Sequence, residues 1–99
     1  MHIVLVEDNS GDITLAKMAF AEAGIPHNLT VLTDGEKAVD FFNQIEATAN
    51  TSVPDLVFID LNLPRLDGFE VLTVIRSKPL LASMPVVVKT WTRPCLGQR

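Results

Sequence analysis

Four side chains with oxygen atoms follow short apolar runs of the sequence, where strands would end: Glu7, Asp8, Asp60 and Thr90. Carboxylates that converge repel one another unless a cation or a proton intervenes, so their convergence predicts a metal site. An all-oxygen site suits Mg²⁺, which keeps several waters and leaves a coordination place for a phosphate oxygen. An aspartate can then act as the nucleophile that forms an aspartyl-phosphate, with the Thr90 hydroxyl hydrogen-bonded to the phosphate.

Each of these residues also has a structural interpretation. An acidic pair after a strand is common as a helix cap or a solvated loop, and threonine at a strand end is an ordinary β-former. Glu70 is expected to face solvent, and His2 and His27 show no metal-ligand spacing. The joint placement of the acidic and hydroxyl residues on one edge favours the functional interpretation.

The elements that would position these residues alternate along the chain. Apolar residues after Gly35 recur at i, i+3, i+4 and i+7, which predicts a helix; helices are also predicted over 12–23 and from Gly68 through Ile75. Strands are predicted at 3–6, 28–32, 56–59 and 85–88, with a polar loop over 47–54. Apolar strands separated by helices indicate a doubly wound α/β fold whose parallel sheet is covered on both faces.

Composition narrows the class of protein. The chain has 99 residues, enough for one domain, and a formal charge of −4 without a cluster of basic residues, so direct nucleic-acid binding is not expected. Cys95 is the single cysteine, and no apolar stretch approaches the roughly 20 residues that span a bilayer. These features predict a cytoplasmic protein without membrane anchoring.

Three segments resemble the receiver domains of response regulators in two-component signalling: Val6-Glu7-Asp8-Asn9, the run from Asp60 to Glu70 (DLNLPRLDGFE), and Pro85 to Thr90 (PVVVKT). The resemblance covers residues 2 to 90. It implies the flavodoxin-like fold with strand order 2-1-3-4 for the four strands present. The opening acidic segment and the long polar loop are also similar to small stand-alone regulators that partner bacterial phytochrome histidine kinases.

The resemblance implies a role for each matching residue. Asp60 would be the phosphoacceptor, Asp8 a direct Mg²⁺ ligand, Glu7 a ligand acting through water, and Asn62 the donor of a main-chain carbonyl. Thr90 would be the switch hydroxyl, and Pro64 and Gly68 would shape the loop and start the helix. The implied partner is a sensor histidine kinase, and the implied activity is self-catalysed phosphoryl acceptance rather than enzymatic turnover.

The chain departs from the family after its fourth strand. A complete receiver continues with a helix, a strand carrying a Lys-Pro step and a final helix, whereas residues 91–99 show neither helical nor strand periodicity. We therefore expect an incomplete receiver over 1–90 and an irregular tail. Lys89 is not expected to replace the phosphate-binding lysine, because its side chain and that of Thr90 should point to opposite faces. Trp91 has two interpretations: it covers the acidic site, or it covers apolar surface elsewhere.

Strand four is then expected to form a sheet edge, which predicts a homodimer or a strand-exchanged dimer through it. The acidic motif has three other functional interpretations. A phosphatase that forms an aspartyl-phosphate would carry a second aspartate where Asn62 stands, and a calcium loop starting at Asp60 would have glycine in place of Arg65. A binding-only receiver, or a non-functional fragment, remains the alternative.

Overall fold

The computed structural model describes residues 1–24, 26–47, 53–61, 63 and 66–89, with the side chains of residues 46, 47 and 89 excepted. Seven elements alternate along the chain: β1 (His2–Val6), α1 (Ser10–Glu22), β2 (Asn28–Leu32), α2 (Gly35–Ala47), β3 (Leu56–Asp60), α3 (Gly68–Ser77) and β4 (Val86–Lys89). The predicted alternation of strands and helices is confirmed. Within these described ranges, no helix is both long enough and apolar enough to cross a membrane.

The four strands are parallel and form one sheet in the order β2-β1-β3-β4. This confirms the fold class and the strand order that the resemblance implied. Val4 pairs with Thr30 on one side and Val57 on the other, so β1 lies inside the sheet. Because all four strands run the same way, their carboxyl ends meet at one edge, where Asp60 pairs with Lys89.

One face of the sheet is closed by α2 and α3. Phe42 and Ile75 are completely buried there, and every helical member of the core cluster comes from these two helices. The spacing of apolar residues along α2 produces this burial, as its helical periodicity predicts. The cluster comprises Val4, Val6, Ala38, Phe42, Ile45, Val57, Ile59, Leu63, Val71, Ile75, Leu81 and Met84.

The guanidinium of Arg76 forms hydrogen bonds with the connection between α3 and β4. Arg76 Nη1 donates to the carbonyl oxygens of Ala82 at 2.8 Å and Met84 at 3.0 Å. These bonds satisfy carbonyls that no regular secondary structure would pair. They hold the connection against the end of α3, with the side chains of Leu81 and Met84 inserted into the core.

The other face carries only α1 among the described elements and is partly open. No residue of α1 is buried, and Phe20 contacts the sheet at the ring of Phe58, with centroids 5.3 Å apart. Val87 of β4 is 45% exposed. The expectation that helices cover both faces of the sheet is therefore wrong at β4 within the described residues, because α1 does not extend across this strand.

Candidate functional site

The turn after β1 is fixed at both ends by hydrogen bonds. The Glu7 backbone N–H donates to the Leu32 carbonyl at 3.0 Å, which continues the β1 and β2 pairing by one residue. The Glu7 carboxylate accepts from the Asn9 backbone N–H at 3.2 Å, and the Asn9 side chain accepts from the Asp12 backbone N–H at 2.9 Å as the N-cap of α1. These hydrogen bonds connect the end of β1, Glu7 and the start of α1.

Asp60 is placed by β3 and by the close approach of α3. A Cβ atom at Gly68 would lie 2.7 Å from the Asp60 carbonyl oxygen and 2.7 Å from Leu61 Cα, so only glycine permits this contact. The Gly68 N–H donates to the Leu61 carbonyl at 3.2 Å. Asp67 caps α3 by accepting from the Glu70 N–H at 3.0 Å. α3 begins at Gly68.

The two strand ends bring three carboxylates together. One oxygen from each of Glu7, Asp8 and Asp60 lies within 4.8 Å of the others. Glu7 is 2% exposed and Asp60 is 5% exposed, whereas Asp8 is exposed. At this separation two ionised carboxylates repel by about 3 kcal/mol in an effective dielectric constant near 20. Among the described residues this is the one cluster of three such side chains, and a cation would relieve its repulsion.

The separation of these oxygens fits one small divalent ion. Oxygens bound at about 2.1 Å in an octahedral shell lie about 3.0 Å apart when adjacent and about 4.2 Å apart when opposite. An upper limit of 4.8 Å therefore accommodates direct ligands, and also one carboxylate that acts through a bound water. The donor set contains only hard oxygen atoms, which Mg²⁺ and Mn²⁺ accept and soft metals do not favour.

Sequence reasoning found the acidic cluster but not its supports. Asn9 was noted only as part of the motif Val6-Glu7-Asp8-Asn9, although its backbone N–H bonds Glu7 and its side chain caps α1. Its position directly before a helix start was the available indication. The predicted roles of Asn62, Pro64 and Thr90, and the location of Trp91, fall on residues outside the described ranges.

Comparison with known proteins agrees with this geometry. The model of the response regulator receiver domain family matches residues 3–94. The chain belongs to this family. Its receiver fold places the acidic cluster at the carboxyl edge of the sheet, where open α/β sheets bind their ligands.

Three relatives illustrate the likeness. Response regulator Rcp1 of Synechocystis is 42% identical over 88 residues, which cover 89% of this chain and 60% of Rcp1. The Mn²⁺-bound crystal structure of Rcp1 superposes with a TM-score of 0.78 at 41% identity, covering 88% of this chain and 63% of that one. The structure of the phosphorylated cyanobacterial phytochrome response regulator RcpA superposes with a TM-score of 0.77 at 47% identity. The match covers 88% of this chain and 62% of RcpA.

The third relative is the receiver domain of the sensor histidine kinase PA1611 from Pseudomonas aeruginosa, solved with magnesium in its active-site cleft. It superposes with a TM-score of 0.72 at 26% identity, covering 88% of this chain and 64% of that one. This chain therefore spans about three fifths of the length of the relatives described above.

Proposed function

We propose that this receiver accepts a phosphoryl group on Asp60 from a sensor histidine kinase, with Mg²⁺ beside the acceptor. The observation that carries the proposal is the convergence of Glu7, Asp8 and Asp60 at the carboxyl ends of β1 and β3. Two relatives support it, because one was solved phosphorylated and another with magnesium in its cleft. The chain would act as a phosphoacceptor in a relay and not as a turnover enzyme.

In the proposed step, a carboxylate oxygen of Asp60 forms a bond to phosphorus while the bond between phosphorus and the donor's imidazole nitrogen breaks. The departing nitrogen keeps the electron pair of that bond and takes a proton from solvent. The close approach of α3 at Gly68 fixes the backbone of Asp60 at the end of β3, which limits the reorganisation needed before the attack. The burial of Asp60 limits competing attack by water.

The metal would be held by Asp8 and Asp60 directly, by Glu7 through water, and by the Asn62 main-chain carbonyl. When bound, it would neutralise charge on the transferring phosphoryl group. Thr90 would donate its hydroxyl to the phosphate, and Pro64 would shape the loop that carries the carbonyl ligand. The separation of the three carboxylates, within 4.8 Å of one another, supports their part in this arrangement.

Intact-mass analysis after incubation with Mg²⁺ and acetyl phosphate tests the proposal. We expect the parent chain to gain the mass of one phosphoryl group, in a base-labile adduct. Asp60→Asn removes the nucleophile and should gain none. Asp40→Asn is the matched control, since Asp40 is an exposed aspartate of α2 outside the cluster, and it should react like the parent.

The binding-only alternative predicts a different outcome. In that case Mg²⁺ would shift the NMR signals of residues around Asp60, but neither acetyl phosphate nor beryllofluoride would modify the parent chain. An adduct of equal yield on Asp60→Asn would contradict the assignment of the acceptor. A chain that neither binds Mg²⁺ nor reacts would correspond to the non-functional fragment.

The partner proposed for this receiver is a histidine kinase of the phytochrome type, acting in the cytoplasm. The similarity to RcpA, described as a phytochrome response regulator, supports this class. Transfer from an autophosphorylated phytochrome kinase should be faster than transfer from a kinase of another sensor class at equal concentration. Equal rates would remove the support for a phytochrome-type partner.

We also propose that two copies pair through β4. The Val57 N–H donates to the Pro85 carbonyl at 3.2 Å, so the odd-numbered residues of this strand direct their backbone groups toward β3. Val86 and Val88 then direct theirs toward the outer side, where the described residues supply no strand. A twofold axis beside this edge would join two β4 strands in antiparallel pairing.

Light scattering across a concentration series tests the dimer. We expect the mass to rise toward twice the chain mass, and Val88→Pro, which removes an outward N–H, to shift the midpoint to higher concentration. Val53→Pro is the control because Val53 is exposed and precedes β3. A parent chain that stays monomeric at the highest concentration would rule out pairing through β4.

A further inference from the structure

The open face of the sheet forms a groove of about 500 Å³ between α1 and β4. Its floor includes Leu5, Phe58 and Val87, and its wall is the inner side of α1, including Leu15 and Phe20. Leu15 is 60% exposed and Val87 45% exposed, so apolar surface on both sides of the groove meets solvent. Contiguous exposed apolar surface of this kind commonly marks an interaction site.

We propose that residues 90–99 of this chain fold back and occupy the groove. The segment begins directly after Lys89, and β4 itself supplies Val87 to the groove. Ten residues reach up to about 35 Å when extended. The groove follows α1, whose 13 residues span about 20 Å. The segment is therefore long enough to turn at the end of β4 and lie along the groove.

The composition of the segment suits the apolar part of the groove. Trp91 and Leu96 are its large apolar residues, and an indole buries more apolar area than any other side chain. Trp91 follows Val87 by four positions in the sequence, a short tether between the indole and this end of the groove. Val87 itself lines the groove.

Charge favours the same occupant. The described residues that line the groove include the carboxylates of Glu7, Asp12 and Asp60 and no basic side chain. The segment carries Arg93 and Arg99 and no acidic residue. A second copy of the chain would instead bring a second set of carboxylates to the groove, and like charges oppose that arrangement. The basic segment is thus the better match.

Trp91 emission provides a direct test in the full 99-residue chain, because it is the only tryptophan and the chain contains no tyrosine. We expect a blue-shifted emission and weak quenching by acrylamide in the parent. Leu15→Glu places a charge in the groove and should raise the quenching constant about twofold, because the displaced indole becomes accessible to the aqueous quencher. Circular dichroism should show an intact fold.

Met18→Glu is the matched control. Met18 lies on the same helix, is 55% exposed against 60% for Leu15, and does not line the groove. Its quenching should equal that of the parent. Equal quenching in the parent, Leu15→Glu and Met18→Glu would overturn the proposal, as would protection that disappears on dilution, since this would assign the groove to a second copy.

A second pair of variants changes the segment and leaves the groove intact. Arg93→Glu should raise the quenching constant by weakening the attraction to the carboxylates, and raising the ionic strength should do the same in the parent. Gln98→Glu adds a negative charge without removing a cation and should have the smaller effect. Equal effects would show that charge pairing does not hold the segment. None of these readouts depends on phosphoryl transfer, so the proposed function and this inference fail independently.

Discussion

The two faces of the sheet are built by different means. On one face, α2 and α3 bury a continuous apolar cluster in which Phe42 and Ile75 have no exposed surface. On the other face, α1 has no buried residue and lies beside a groove. The acidic site lies at the edge where β1 and β3 end, and two of its residues, Glu7 and Asp60, also line the groove. The strands therefore position the site, and among the described residues only one face of the sheet carries a closed core.

The two faces also secure the site differently. On the closed face, α3 contacts the end of β3 through the space left by Gly68. On the open face, α1 is joined to Glu7 by the hydrogen bonds of Asn9. An added side-chain atom in a closely packed contact destabilises the fold, because neighbouring atoms must move. Loss of a helix cap removes only a small, local contribution to the free energy of folding. Substitutions on the two sides should therefore differ in size.

The largest effect is expected for Phe42→Ala in α2. Removing a completely buried ring should lower the free energy of unfolding by about 3–5 kcal/mol. Phe58→Ala, on the half-buried open face, should cost about 1–2 kcal/mol. Urea unfolding monitored by circular dichroism measures both. Equal losses would mean that the open face is as well packed as the closed one.

Gly68→Ala should have the next largest effect. The added Cβ meets backbone atoms of residues 60 and 61 at 2.7 Å, so α3 must move away from the strand end. We expect a loss of about 1–3 kcal/mol in stability, together with weaker Mg²⁺ binding in a titration followed by NMR. Gly11→Ala is the control, because its Cβ would meet only the Asn9 side chain, at 3.2 Å. Unchanged Mg²⁺ affinity in Gly68→Ala would show that the contact between α3 and the end of β3 does not position the metal ligands.

Addition and removal of Mg²⁺ should change stability by an intermediate amount. A cation shared by the ends of β1 and β3 should stabilise the fold by about 1.4 kcal/mol at tenfold excess over its dissociation constant. EDTA should reverse the effect. Asp8→Asn should reduce it and Asp40→Asn should not. A urea midpoint that does not respond to millimolar Mg²⁺ would contradict a cation site in this cluster.

The smallest effect is expected for Asn9→Ala. Loss of the side-chain cap should cost about 1 kcal/mol, while Asn43→Ala on the exposed side of α2 should stay within about 0.5 kcal/mol of the parent. Mg²⁺ affinity should remain close to that of the parent, because Glu7 accepts from the backbone N–H of residue 9, which alanine retains. A large loss of affinity would show that the cap, and not the backbone, positions Glu7.

Much of the closed face was predictable because the apolar spacing that determines it lies within single helices. The apolar spacing from Ala38 to Ile45 fixes both a helix and its buried side. The acidic cluster was predictable for a related reason, since parallel strands bring their carboxyl ends to one edge and place Asp8 near Asp60. The predicted bounds of α1 were less accurate: the helix begins at Ser10 and not at Asp12, because the Asn9 cap supplies the first acceptor.

The open face was not predictable in the same way. The valines of β4 form a continuous apolar run, which indicates a strand covered on both faces, yet Val87 is 45% exposed. Coverage depends on which distant segment reaches a strand, and a pattern within the strand does not contain that information. The contact at Gly68 and the two hydrogen bonds from Arg76 Nη1 to the connection before β4 also join residues that are in different elements. Such tertiary contacts leave no pattern within a single element.

The hydrogen bond between the Asn9 N–H and the Glu7 carboxylate also makes the Asn9 amide a spectroscopic probe of the site. An amide proton bonded to a carboxylate changes its resonance frequency when the electron density on the acceptor oxygen changes. The Asn9 cross-peak in a nitrogen-proton correlation spectrum therefore records a change of charge beside Asp60 without any label placed in the site. Exchange broadening of that peak would also report the rate of such a change.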